Sequence, residues 1–139
     1  MNRWAGLALA AACSLVTAAP RWTQDKTEPA RARISIYRVV PGRHLDLLKW
    51  LAAREEIAKE AGAPPAQIYA HTDGDSWDYL MIAPATTDAQ DQALDAAAVK
   101  MGLPSGPKVG LELRKHIASH TDTYVVGPLT AAQQLDRLK

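Results

Sequence analysis

The chain has 139 residues, 47% of them hydrophobic and 22% charged, the profile of one ordinary globular domain rather than a multidomain or disordered protein. Sixteen Lys and Arg stand against fifteen Asp and Glu, a formal net charge of +1, which leaves no electrostatic footprint for phosphate backbones and argues against nucleic acid as a partner. A domain of this size buries roughly two thirds of its unfolded surface, so it needs neither a metal nor a disulfide to stand, and no motif in it implies a cofactor.

The first 20 residues carry Arg3, an apolar run over 5–12 and a small-residue exit to Pro20. This pattern predicts a secretory signal peptide over 1–18, cut after Ala18 with Val16 and Ala18 in the small-residue positions. The run is too short to cross ~30 Å of hydrocarbon. The alternative is a lipoprotein signal over Ala10, Ala11, Ala12 and Cys13, with a lipid anchor on Cys13, although Leu9 stands one place early for such a box. The expected location is periplasmic or secreted, or membrane-anchored in the alternative. Cys13 is the only cysteine, so a chain cut after Ala18 has no thiol for pairing, catalysis or metal binding. Residues 19–32, with Pro20 and Pro29, read as a flexible tether, 33–127 as the folded domain and 128–139 as a C-terminal tail.

Within the domain, residues 34–40 are rich in β-branched side chains and stop at Pro41 and Gly42, which predicts a first strand. Residues 44–61 place Leu45, Leu47, Leu48, Leu51, Ile57 and Ala58 at helical spacing, and Gly62 with Pro64 and Pro65 ends the run. Two alternating strands, 67–71 and 77–82, flank an Asp-Gly hairpin at 72–76. Thr87 and Gln90 form a capping box for a second helix that runs to Gly102. A turn-rich loop at 103–107 leads to a third, short helix over 109–119, and 123–126 is a last strand closed by Gly127 and Pro128. The tail from Thr130 has room for a final helical turn or two.

The order strand, helix, strand, strand, helix, strand predicts an α+β fold: a βαββαβ sandwich with a four-stranded antiparallel sheet and helices on one face. Alternation divides the strands into two sets. Ile34, Ile36, Ile68, Ala70, Leu80, Ile82, Tyr124 and Val126 are nearly all apolar and suit the helix-covered core. Ser35, Tyr37, Val39, Gln67, Tyr69, His71, Trp77, Tyr79, Met81, Thr123 and Val125 form a mixed set, too apolar for water and too polar for a dry core. A ligand cavity on the open face, or a second subunit closed over one, would account for such a mixture.

In element order, in its opening residues 33–42 and in its ending residues 120–126, the chain resembles the dimeric α/β-barrel superfamily, with a NIPSNAP-like and antibiotic-biosynthesis-monooxygenase-like flavour. The resemblance implies a ferredoxin-like subunit that dimerises sheet against sheet around a central cavity. It implies no single reaction, because the superfamily includes cofactor-free oxygenases, isomerases, dehydratases and haem enzymes.

The candidate chemistry lies in polar groups at apolar places. On a helix over 109–119, Glu112, His116 and His120 would climb one side beside Val109, Leu113 and Ile117. Such a pair could share a metal ion or move a proton, but His-Glu-x-x-His is absent, and hydrogen-bonded structural histidines are the blander reading; no metal site is assigned. His71, near Tyr37, Tyr69 and Tyr79, could take a proton from an acidic carbon while phenols hold the oxyanion. The candidate catalytic residues are therefore His71 and His120, and the candidate ligand contacts are Ser35, Tyr37, Tyr69, Trp77, Tyr79, Met81 and His116. Asp73, Asp75 and Asp78 read as a hairpin turn rather than a calcium loop. Thr121 and Asp122 read as caps at a helix–strand junction. Three functions follow: a homodimer binding a small aromatic or amphipathic organic molecule, a cofactor-independent monooxygenase or isomerase with a His base and Tyr donors, or a purely structural dimer.

Overall fold

The computed structural model describes residues 29–139; the expected signal peptide, Cys13 and most of the expected tether lie outside them. Strand β1, Arg31–Val39, is followed by helix α1, His44–Glu60, strand β2, Gln67–Ala70, and strand β3, Tyr79–Pro84. Helix α2, Asp88–Lys100, helix α3, Pro107–Leu113, strand β4, Ile117–Val126, and helix α4, Ala131–Asp136, complete the chain. Among the described residues no helix is long and apolar enough to cross a membrane.

Local chemistry sets most boundaries. Gly42, at φ 81°, turns the chain out of β1, a conformation that costs a residue with a Cβ. The Thr87 side chain accepts from the Gln90 backbone N–H while the Gln90 side chain bonds back to Thr87 N–H, so the expected capping box opens α2. A second box, Thr130 with Gln133, opens α4.

The sheet order is β2-β3-β1-β4 with every pair antiparallel. Together with the element order, this is the ferredoxin-like α+β arrangement, with β1 and β3 central. β1 begins at Arg31 because Arg31 pairs with Val126 and Ala32 with Pro84; both residues belong to the sheet rather than to the tether.

One element differs from its sequence reading. Val109, Leu113 and Ile117 are spaced like a helix, yet α3 ends at Leu113, the chain turns at His116, and Ile117 enters β4. A ladder of nine residue pairs along β1, broken only by a bulge at Arg38/Val39, outweighs one more helical turn. His116 and His120 therefore do not share a helix face.

The core lies between α1 and the sheet. Leu47 and Leu51 pack on Tyr37, Val39 and Ile117, with Ile68, Tyr79 and Met81 around them. A smaller cluster joins the helices through Ile57, Ala97 and Ala98. Leu47 and Ile57 are fully buried, and each contributes about 1.5–3 kcal/mol by leaving water.

Candidate functional site

Strand register assigns the two faces. Ser35 lies opposite Met81 and Tyr37 opposite Tyr79, and α1 packs on Tyr37 and Val39, so these five residues belong to the helix-covered side rather than to the open one. Conversely Ile34, opposite Ile82, and Ile36, opposite Leu80, turn away from α1. The expected period of two holds, but its phase in β1 and β3 is reversed. Apolarity had pointed to the isoleucines as core; the face that α1 covers instead holds the polar Ser35 at 1% exposure. In β2 and β4 the expected phase holds, with Ile68 packed on the core and Gln67, Tyr69 and Thr123 opposite Ile82, Leu80 and Ile34 on the uncovered side, but Ala70, Tyr124 and Val126, expected in the core, are exposed.

The uncovered side is thus an apolar strip of half-buried Ile34, Ile36, Leu80 and Ile82, flanked by Tyr69, 49% exposed, whose hydroxyl donates to Gln67 Oε1 at 3.0 Å. At its hairpin end lies a hollow of about 290 Å³ lined by Ile36, Arg38, Asp75, Trp77, Ser119, His120 and Thr121. Trp77 stands against His71, ring centroids 4.9 Å apart, and the ring Nε2 of His71 is buried without a hydrogen-bond partner among the described residues. The Arg38 guanidinium reaches Asp75 only at 3.9 Å. Of the expected ligand contacts, Trp77 lines this hollow and Tyr69 shares its face; Ser35, Tyr37, Tyr79 and Met81 lie through the sheet, and His116 sits beside Trp50 at 6.5 Å.

A polar chain occupies the helix-covered side of β1 and β4. The Ser35 hydroxyl donates to Asp122 Oδ1 at 2.6 Å, and His120 Nε2 stands 3.7 Å from Asp122 Oδ2. His120 stacks on Tyr37, with centroids 6.3 Å apart and planes 24° from parallel. Burial pushes the Tyr37 phenol above its ordinary pKa, partly offset by the Ser35 hydroxyl and the Arg33 charge, so the phenol stays a donor at neutral pH. Because Ser35 is bonded to the carboxylate and not to the imidazole, the group cannot activate a serine nucleophile. Asp122 is not a cap: it sits within β4, opposite Ser35. Of the two candidate catalytic histidines, His71 stands beside Trp77 and His120 beside Tyr37, and Trp77 and His120 both line the hollow.

Sequence reasoning took Asp78 only as part of the hairpin turn and missed its wider role. Its carboxylate accepts the Val39 backbone N–H at 2.6 Å and stands 3.1 Å from His44 Nε2. The Val39 N–H above all, helped by His44, holds the Asp78 carboxyl below the usual carboxylate range. This carboxylate ties the end of β1 and the start of α1 to the hairpin that carries Trp77. Among the described residues no group of three His, Cys, Asp or Glu could hold a metal ion.

Fold and site together define a ferredoxin-like domain with one sheet face under helices and one left apolar and open. The sequence matches no protein-family model and no curated protein. Solved structures with a similar chain path include SnoaB, a cofactor-independent oxygenase from Streptomyces nogalater, at TM-score 0.49 and 15% identity over 74% of this chain and 97% of that one. A dimeric ferredoxin-like protein from an uncultured marine organism gives 0.46 and 14% over 74% and 93%. A NIPSNAP domain protein from Burkholderia xenovorans gives 0.42 and 12% over 73% and 97%. These are similarities in the path of the chain; the fold assignment rests on this chain's own strand order.

Proposed function

We propose that the protein is an exported homodimer whose uncovered sheet faces pack together, with a small amphipathic organic molecule held at the Trp77 hollow. The observation that carries this reading is the apolar strip of Ile34, Ile36, Leu80 and Ile82 on the face turned away from α1, running into a hollow with one aromatic wall. A strip of this kind is costly to leave in water. The hollow lies at the lower end of ligand-pocket volumes, about 300–1,000 Å³, so a second subunit closing over it would complete a binding cavity. Native mass spectrometry of the processed protein, from gentle to denaturing conditions, tests all parts together. A dimer carrying a small mass that is lost on denaturation supports the reading, and an empty monomer overturns it. The same spectra distinguish a chain starting after Ala18 from one acylated at Cys13.

A second reading, a cofactor-independent oxygenase or isomerase, is favoured by the Tyr37–His120–Asp122 chain. There His120, which lines the hollow, stacks on the Tyr37 phenol with the Asp122 carboxylate 3.7 Å from its Nε2, so among the described residues it is the one imidazole on the hollow placed to take a proton. Solvent deuterium exchange into the molecule released from the dimer tests it: exchange lost in His120→Asn and Tyr37→Phe supports catalysis, and exchange unchanged by either removes it.

A further inference from the structure

The polar groups around the hollow are not equally available, and the difference selects the charge of what binds. Asp75 lies in the hairpin turn, where its Oδ1 accepts the Ser76 backbone N–H at 2.6 Å, a bond that holds this oxygen to its own loop. Arg38 is fixed on the central strand β1, opposite Ser119, and its only ion pair among the described residues is the 3.9 Å approach to Asp75, with both side chains more than half exposed. Such a pair contributes little and exchanges readily. A guanidinium has five N–H donors in a planar fork suited to a carboxylate. Ile36 and the Trp77 indole stand on the same hollow, and an aromatic or aliphatic body would pack against them.

We propose that the hollow takes a small aromatic or apolar carboxylic acid, its carboxylate on Arg38 in exchange for Asp75 and its apolar body against Trp77 and Ile36. This rests on the binding reading above and adds the ligand's class.

The test is isothermal titration calorimetry of the full chain with 2-naphthoate, 2-naphthamide and 2-naphthylmethylammonium, which share one ring system and differ in charge. The naphthoate is expected to bind about tenfold tighter than the amide, the worth of a charge-assisted hydrogen bond. In Arg38→Gln that ratio falls to about one, because the surface guanidinium is removed without touching the core; in Asp75→Asn the naphthoate binds at least as tightly as before. Three probes that bind alike, all lost in Trp77→Ala, would leave the hollow a binding site and overturn the acid preference. The ammonium binding tightest would overturn it too, by making Asp75 and the indole face the charged anchor. No heat with any probe overturns both the preference and the binding reading.

Discussion

Removing Asp122 should cost more stability than removing Ser35, although the two share one hydrogen bond. Ser35 is 1% exposed and donates to Asp122 Oδ1 at 2.6 Å. Asp122→Ala leaves that hydroxyl buried without an acceptor, a penalty of about 1–3 kcal/mol. Ser35→Ala instead leaves a carboxylate whose side chain is 37% exposed, which water can solvate, so the loss is about 1 kcal/mol. The double variant has neither the orphaned donor nor the unpaired acceptor, and its loss should fall short of the sum of the singles by about 1 kcal/mol or more. Urea unfolding followed by far-ultraviolet circular dichroism, at one fixed protein concentration because a dimer's stability depends on it, gives all four values. Equal losses in the two singles, or a double loss equal to their sum, would refute the bond.

Further outcomes follow from the same contacts. Leu47→Ala and Ile57→Ala, at fully buried positions, should each lower unfolding free energy by about 2–5 kcal/mol; a loss under half of that at both would contradict the two-cluster core. Thr87→Ala breaks the box that opens α2 and should cost about 1 kcal/mol, read from the urea midpoint. Asp78 carries a pH dependence: its carboxyl is held below the usual carboxylate range by the Val39 N–H and His44. That stabilisation is present above the ordinary carboxylate pKa and is lost as pH falls through the lowered one. Asp78→Asn should therefore flatten the acid side of the stability–pH curve, and a curve of unchanged slope would show that Asp78 does not set it.

Much of the fold is legible in the sequence because its signals are local. Pro41 and Gly42 and the Thr87 box each fix an element boundary through their own residues, and the Leu47 and Leu51 spacing marks the buried face of α1, while β3 starts at Tyr79, two residues later than the Asp-Gly hairpin suggests. What the sequence hides is set by contacts between distant residues. Strand alternation gives two faces but not which one meets a helix. Here the more apolar set in β1 and β3 stays uncovered while Ser35 and Tyr37 go under α1. Likewise residues 117–120 carry helical spacing, and only pairing with β1 along the whole of β4 decides for strand. Once that strand is drawn, His120 and Asp122 share a face by the period of two, and Ser35 and Tyr37 stand opposite them. Tyr69 keeps the open face because β2 keeps its phase, and Trp77 does because it lies outside β3, whose paired residues begin at Tyr79.

The account stands on the uncovered face being buried against a second copy of the chain. Sedimentation equilibrium of the wild type and of Ile36→Asp combined with Leu80→Asp, two residues directly opposite each other on that face, tests it most directly. The account predicts a wild-type dimer and a variant monomer that keeps its far-ultraviolet circular dichroism, because a carboxylate pair on the strip opposes association while α1 and its core lie on the other side of the sheet. A monomeric wild type, or a variant that still dimerises, would contradict it.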